Sequence, residues 1–501
     1  MKFLILKKKL KKIIQKHFHL ESVFYFGKEK VMNLKDYIKT VHNGNSFWFV
    51  DEVSHFENQK RILDTIEKKK YLDGRHAISN RVVENYNGKP YEQRAILLQY
   101  AKLIVNLETT YLLKKPVTFT GEEKIVSDMK RVCKKGKYDK INFDLLSNLV
   151  KYGNAYEYVY INGGGDVSSK VIPTECGYPI YNDELDMIAF VEYYTSLESD
   201  FYVVYTPKEV VKYSTIGGTD LQVIGSYANV SGLPIHYKTD NELSVAFGKS
   251  DLDDFINIID AMEDLLSKFS DSFYKHHNPI PVVIGQQLKG EGLNPHIVGG
   301  GITLDDGADF KMVSNGVNHK AFEVIFNTLM QQLINIASVP AVALNASDVS
   351  NLSEMSMRML YQLADMKGGI NERHLREGLE QRNDKVVGLL SRQGKAYSDD
   401  AIESLDMVFT YSRPVNETEV IDNLVKMYQV GAISIESLVE ISPYVSNEHL
   451  ELKRILEREQ RVSEQKQVNE KDNEHDSKQV NVKTKDVKED VAIKKEDVVE
   501  K

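Results

Sequence analysis

Cysteine is nearly absent: Cys133 and Cys176 are the only two in 501 residues. That excludes a disulfide scaffold and a four-cysteine zinc site, and it fits a reducing compartment. No run of about 18 apolar residues occurs, so no transmembrane helix is predicted. A surplus of positive charge is also missing, since the formal net charge is −9. Proteins that grip DNA are usually basic, because affinity comes from neutralising phosphates. An acidic chain that meets DNA is expected to let it slide.

Enzyme signatures are lacking too. Gly248-Lys249-Ser250 resembles the end of a P-loop, but Leu243 stands where the loop needs its first glycine, so the phosphate cradle is absent. The same residues fail as a nucleophile elbow, because Leu252 occupies the second glycine position. Gly163-Gly164-Gly165 lacks the spacing and the following helix of a dinucleotide site. No His-Glu-x-x-His occurs, and adjacent His276 and His277 point different ways on a helix. The histidines read as surface or helix-end residues, and the scattered acids as solvated helix faces. No catalytic, cofactor-binding or metal-binding residues are assigned.

What is present is long helical periodicity around a β-rich block. Near the start, a short apolar run to Leu6 turns into lysines at Lys7, Lys8, Lys9, Lys11, Lys12 and Lys16. A signal peptide would carry its charge first and a longer apolar run after it. Residues 1–57 therefore read as a basic arm, with a basic amphipathic helix as the alternative and Met32 as a second candidate start. Helices are predicted over Asn58–Lys70, Glu92–Leu112 and Asn142–Lys151. Four runs rich in Tyr, Val, Ile and Phe (Ala155–Ile161, Ile188–Thr195, Phe201–Tyr205 and Val210–Tyr213) read as a small antiparallel sheet. Its tyrosines read as sheet packing, because basic neighbours are sparse.

Ser250 and Asp253 form a capping-box-like pair, and three aspartates load the following turn. Leu252, Phe255, Ile259, Met262, Leu266, Phe269 and Phe273 then make a heptad seam. After an irregular, glycine-rich stretch from Asn278 to Asn318, Phe322, Ile325, Leu329, Leu333 and Ile336 repeat the helical spacing up to Pro340. The two helices form a hairpin with a small domain at its tip. A loop, Val339–Ser350, leads into a helix over Asn351–Arg392. Gly368 and Gly369 lie near its middle and are expected to kink it. Helices follow at Glu417–Val430, Ile435–Glu440 and beyond Ser446. Tyr444 is the last aromatic residue, and residues 461–501 lack the apolar content to fold.

The order of these elements resembles the portal family of long-tailed phages over about Tyr71–Glu459. Tyr71-x-x-Gly74-x-x-x-Ile78-x-x-Arg81 is similar to the family's opening motif. Asn106–Pro116, with Tyr111-Leu112 and Lys115-Pro116, resembles its "helix, then Tyr-Leu-x-x-x-Pro" passage. Tyr152-Gly153-Asn154-Ala155-Tyr156-Glu157 resembles the helix-to-strand entry, and Pro179-Ile180-Tyr181-Asn182 the next strand. Gly248-x-Ser250-Asp251-Leu252 resembles the opening of the stem helix. Ile433-Ser434 through Glu451-x-x-Arg454-Ile455 resembles the crown. The loop Ala343–Leu352 departs from the family in lacking the Ser-Gly that often opens the tunnel helix.

The resemblance implies an α+β, mainly helical portal fold with wing, two-helix stem, clip, long kinked tunnel helix and helical crown. The basic arm (1–57) precedes the wing (58–250), stem helix 1 (251–277), clip (278–318) and stem helix 2 (319–338). A tunnel loop (339–350), the kinked tunnel helix and wing return (351–398), the crown (399–460) and a charged tail (461–501) complete the chain. The loop residues Ala343, Leu344, Asn345, Ala346, Ser347 and Asp348 face DNA in this assignment and include no Lys or Arg. The expected role is a homo-oligomeric ring, a dodecamer, at the capsid vertex of the virion, assembled in the host cytoplasm. The ring would nucleate procapsid assembly, and double-stranded DNA would pass through it at packaging and ejection. Expected partners are the terminase large subunit, which would supply the ATP-driven motor, the major capsid and scaffolding proteins, and a head-completion or adaptor protein. No membrane, cofactor or enzymatic activity is implied. The alternative is a cytoplasmic coiled-coil scaffold, which explains the heptads but not the sheet.

Overall fold

The computed structural model describes residues 32–81, 83–86, 89–276, 280–285, 306–313, 319–340, 354–413, 417–442, 444–445 and 450–461. They fall into two compact units. One holds the described residues up to Pro340 together with Tyr361–Arg413, and the other holds those of Ser347–Leu360 and of the segment from Pro414 onward. The fold is α+β and mainly helical.

The first unit opens with α1 (Leu34–Val41), α2 (Trp48–Ser54) and α3 (Phe56–Leu72). Asn33 caps α1 by accepting from Lys35 N and Asp36 N. The reading of 1–57 as a solvated arm therefore needs correction over residues 34–54. Trp48, Phe49 and Val53 are buried and pack with Tyr178, Val191, Tyr202 and Val204 of the sheet. Three large apolar residues within six positions supply enough burial to dock a short helix.

A hairpin of β1 (Glu84–Tyr86) and β2 (Lys89–Tyr91) precedes α4 (Tyr100–Leu113). The predicted helix Glu92–Leu112 thus starts eight residues late, and residues 92–98 carry no helix. The reason is tertiary: their amides are claimed by side chains of another element, described below. Next come β3 (Thr118–Thr120), α5 (Glu123–Gly136) and α6 (Tyr138–Tyr152).

The β-rich block forms two antiparallel sheets. β4 (Asn154–Ile161) lies between β5 (Val167–Ile172) and β11 (Ile235–Lys238). β6 (Gly177–Tyr181), β7 (Met187–Ser196), β8 (Ser199–Tyr205), β9 (Glu209–Ser214) and β10 (Gln222–Ala228) pair consecutively as a meander. All four predicted strands are present within a residue or two, but the single sheet expected of them is corrected to two, with β4 in the first and β7, β8 and β9 in the second. Tyr156, Tyr158, Tyr178 and Tyr205 are buried between elements, so the tyrosine density is sheet packing.

The chain continues through α7 (Leu252–His276), the pair β12 (Ile280–Ile284) and β13 (Asp309–Val313), α8 (His319–Ile336), α9 (Glu354–Arg392), α10 (Asp399–Glu403) and β14 (Asp406–Val408). β14 returns to pair with β3, Met407 opposite Phe119. The main core gathers Ile104 and Leu112 of α4, Leu145 and Leu149 of α6, Phe255 and Ile259 of α7, and Leu375 and Leu379 of α9. The second unit contains α11 (Glu417–Gln429), α12 (Ile435–Ile441) and a helical stretch over 450–461. Ser434 caps α12 by accepting from Ser437 N. Among the described residues, no helix is long and apolar enough to cross a membrane.

Candidate functional site

Two motifs far apart in sequence meet at the start of α7. A Cβ at Gly153 would lie 2.5 Å from the Lys249 backbone, and one at Gly248 would lie 2.1 Å from the Gly153 carbonyl oxygen. Only glycine permits that crossing. Asn154 fastens it: its Oδ1 accepts from Gly248 N at 2.9 Å, while Asp251 N donates to Val150 O at 3.2 Å. Ser250 Oγ accepts from Leu252 N and donates to Lys151 O, so it caps α7 and ties it to α6. The expected reciprocal cap from Asp253 does not form as read, because that carboxylate lies 2.9 Å from Lys68 Nζ of α3. Gly248-Lys249-Ser250 is therefore a packing junction and cradles no phosphate.

The seam of α7 divides in two. Leu252, Phe255, Ile259 and Met262 lie in the core at 0–1% exposure. Leu266 and Phe269 are half-buried, and Phe273 is 44% exposed. On α8, Leu333 is buried, Phe322 and Leu329 are half-buried, and Ile325 and Ile336 are exposed. Phe269 stacks on Phe322 with ring centres 3.9 Å apart, and Phe322 on Phe326 at 5.7 Å. The hairpin is thus rooted in the core at the start of α7 and the end of α8, while in its far half the two helices pack on each other and, on the opposite face of α7, on residues 94–96.

The other face of α7 is acidic and buried, against the expectation of solvated acids. Leu98 N donates to Glu263 Oε1 at 2.7 Å, Ile96 N to Ser267 Oγ at 3.0 Å, and Arg94 N to Asp271 Oδ1 at 3.2 Å. The donors recur every second residue, as in an extended chain, and the acceptors every fourth, along one helix face. Residues 92–98 are held as a strap along α7 for that reason. Arg81 adds an ion pair to Asp264 at 2.8 Å. His76 is also buried, which corrects its reading as a surface residue. It stacks on Tyr71 at 3.8 Å, and its Nε2 donates to Tyr71 O at 3.0 Å. Its Nδ1 lies 2.6 Å from Glu263 Oε1, so that contact needs a shared proton. Tyr71 donates its hydroxyl to Asp260 at 2.8 Å. His76, Asp260 and Glu263 could offer three ligand atoms within 4.8 Å of one another. As the side chains stand, the His76–Glu263 hydrogen bond leaves no room for an ion between those two atoms.

The long helix α9 runs continuously from Glu354 to Arg392 through Gly368 and Gly369. At Gly368 the missing side chain admits a neighbour: a Cβ there would sit 3.3 Å from the Tyr111 ring. Polar side chains tie α9 to the rest of its unit. Lys367 Nζ lies 2.7 Å from Asp251 Oδ2 as an ion pair, off the hydrogen-bond direction. Asn371 donates to Glu108 at 3.2 Å. Arg382 is buried with its Nε 2.9 Å from Glu157 Oε2, and Glu157 also accepts from the Tyr237 hydroxyl. Burial and the Asp251 carboxylate push the Glu108 acid up to about 8.

The loop residues Ala343, Leu344, Asn345, Ala346, Ser347 and Asp348 lie outside the described residues. A second feature was missed in the sequence. Within the first unit, Leu363, Met366 and Ile370 of α9 are exposed at spacings of three and four. In the second unit, the first turns of the same helix expose Met355 and Met359. The spacing is present in the sequence; which face of the helix lies uncovered follows only from the packing of the other elements.

Comparison with known proteins places the chain. The family described as "Phage portal protein, SPP1 Gp6-like" matches residues 54–465. The portal protein of Bacillus phage SPP1 is 24% identical over 384 residues, 71% of this chain and 74% of that one. Among solved structures, a chain of the neck of an empty gene transfer agent particle, computed with C6 symmetry, is 14% identical. The match covers 71% of this chain and 88% of that one, with a TM-score of 0.43. A chain of the native particle's neck, computed with C12 symmetry, is 13% identical over 68% and 88% of the two chains, with a TM-score of 0.42. With most of its sequence matched, the chain belongs to the phage portal protein family.

Proposed function

We propose that copies of this chain close into a ring at the capsid vertex and that the genome passes through its centre during packaging and ejection. The reading rests on one observation besides family membership: helices α8 and α9 leave apolar side chains without cover in the single chain. Val324 is 65% exposed and Met366 57%. Each such side chain contributes about 1.5–3 kcal/mol when a neighbour covers it fully. A closed ring covers such faces on every copy and leaves no free interface.

In this proposal α7 and α8 are the stem, residues 278–318 the clip, 339–350 the tunnel loop, 351–398 the tunnel helix and wing return, and 399–460 the crown. Gly368 and Gly369 mark the bend of the tunnel helix. The ring is a dodecamer assembled in the host cytoplasm and carried in the virion. The terminase large subunit and later a head-completion protein dock on the clip, while capsid and scaffolding proteins surround the wing. The role is structural, with the motor's ATP chemistry supplied by the terminase.

Mass measurement of the full chain in solution tests the core of this reading. Closed rings are expected, and Met366→Glu is expected to shift the population toward monomers while leaving the helical content unchanged. A wild-type chain that stays monomeric at all concentrations overturns the reading.

A further inference from the structure

We propose that the cleft between α3, α4 and α6 is a phosphate-binding site that takes the backbone of a nucleic acid. The cleft has a volume of about 520 Å³, and Lys69, Lys70, Arg75, Lys102 and Lys151 line it. Five cations therefore converge on one concavity in a chain whose net charge is −9.

Two features of the fold account for part of this cluster. Lys69 and Lys70 lie in the last turn of α3 and Lys151 in the last turn of α6, where a helix dipole favours positive charge. Glu175 pairs with Lys69 at 2.5 Å, and Asp73 lies 3.5 Å from Arg75. Neither feature accounts for Lys102, which stands in the first turn of α4, the end that repels a cation. Among the described residues, no carboxylate lies within ion-pair distance of Lys70, Lys102 or Lys151. Burial holds the Lys151 ammonium below its ordinary value; Asp144 pulls it back up, while Lys102 and Lys69 push it further down. Like charges gathered in a cleft focus a positive potential that an anion relieves.

The chemistry of the walls selects the anion. Asn106 and Tyr152 add side-chain donors, and Asp73 is the one acidic residue on the lining. The three walls are helices, so no strand edge is offered to the backbone of an acidic peptide, which needs donors and acceptors together. A phosphodiester needs donors alone. Three unpaired lysines around one cleft exceed what a single free phosphate requires, and they suit adjacent phosphates of one strand. The choice of nucleic acid rests on the DNA-handling role proposed above; the anion site itself does not.

The test is fluorescence anisotropy of a labelled DNA duplex with the full chain across a salt series. Lys70→Ala/Lys102→Ala removes two exposed contacts, and Lys151→Gln removes a third separately. Lys130→Ala/Lys140→Ala, on α5 and the first turn of α6, is the charge-matched control. Each lost phosphate contact is expected to flatten the slope of log affinity against log salt by about 0.9, so the cleft double variant loses about 1.8. The control is expected to keep the wild-type cleft contacts. An unchanged slope in the cleft variants, or equal flattening in the control, overturns the proposal. Pyrophosphate or oligoglutamate binding to the cleft without duplex binding overturns its nucleic-acid assignment. Mass measured on the same samples reports ring formation separately, so a wild-type chain without rings that still shows the slope difference counts against the ring reading alone.

Discussion

Glu108 and Asp251 place two carboxylates together in a buried site that Lys367 can neutralise only once. Glu108 is raised to about 8, by burial first and the neighbouring carboxylate second. Because the folded value exceeds the unfolded one, this group contributes stability that is fully present below about pH 4 and is lost as pH rises through about 8. Glu108→Gln keeps the hydrogen-bonding shape and removes the titration. It is expected to flatten the fall in stability between those limits and to be more stable than wild type above pH 8. Urea unfolding across the pH range measures this, and an unchanged profile would assign the slope to other groups. At Gly378 two effects oppose each other. Alanine improves helix propensity by about 1 kcal/mol, but its Cβ would fall 2.2 Å from the Tyr237 ring. Overpacking costs about 1–3 kcal/mol, so Gly378→Ala is expected to lower the denaturant midpoint, and a gain would show that Tyr237 moves freely. None of this was legible in the sequence: Glu108 and Asp251, or Gly378 and Tyr237, meet only when distant segments pack.

At the scale of elements the sequence was more informative where burial faces one side. The seam of α7 and the spacing on α8 repeat with the period of their structure, while β7 and β8 stand out by runs of Tyr, Val, Ile and Phe; each was located within a residue or two. The strap at 92–98 defeated the same reasoning. Ile96 and its neighbours fit a helical pattern, yet Glu263, Ser267 and Asp271 compete for their amides from 165 residues or more away. The buried histidines and acids failed for the same reason, since their partners lie on other elements. The strap yields a direct test. Hydrogen bonds to charged groups contribute about 1.5–3 kcal/mol, so Asp271→Ala is expected to speed amide exchange at Arg94 about ten- to a hundredfold while the core of α6 stays protected. Unchanged exchange at Arg94 would mean that the strap is held by its apolar contacts.

For the whole molecule, family membership was legible because short motifs recur in order, although each is weak. Their physical sense came only with the structure: Tyr152-Gly153-Asn154 and Gly248-Lys249-Ser250 are two halves of one junction. Two expectations belong at this scale. Deleting everything after Gln460 is expected to leave ring formation intact, because no aromatic residue follows Tyr444; rings lost in that truncation would make the tail structural. Asn345→Lys/Ser347→Lys adds two positive charges per subunit to the proposed tunnel loop. Around a ring these create many phosphate contacts and a steep salt dependence of DNA retention. Packaging is expected to slow or stop while assembly stays normal. Packaging at the normal rate in assembled heads carrying both lysines would remove the loop from the channel.

The strap and its helix are two rulers with different graduations. Two residues of extended chain advance about 6.6 Å, whereas four residues of helix advance about 6.0 Å. Each rung therefore slips by about half an ångström against its partner. Side chains of different reach take up the slip: Glu263, Ser267 and Asp271 accept at 2.7, 3.0 and 3.2 Å from Leu98, Ile96 and Arg94. A ladder of this kind is self-limiting. The residues end it as well: the next positions in the acceptor series are Ile259 and Lys275, which accept nothing, so the slip between the two repeats and the loss of acceptors set the same limit on the strap.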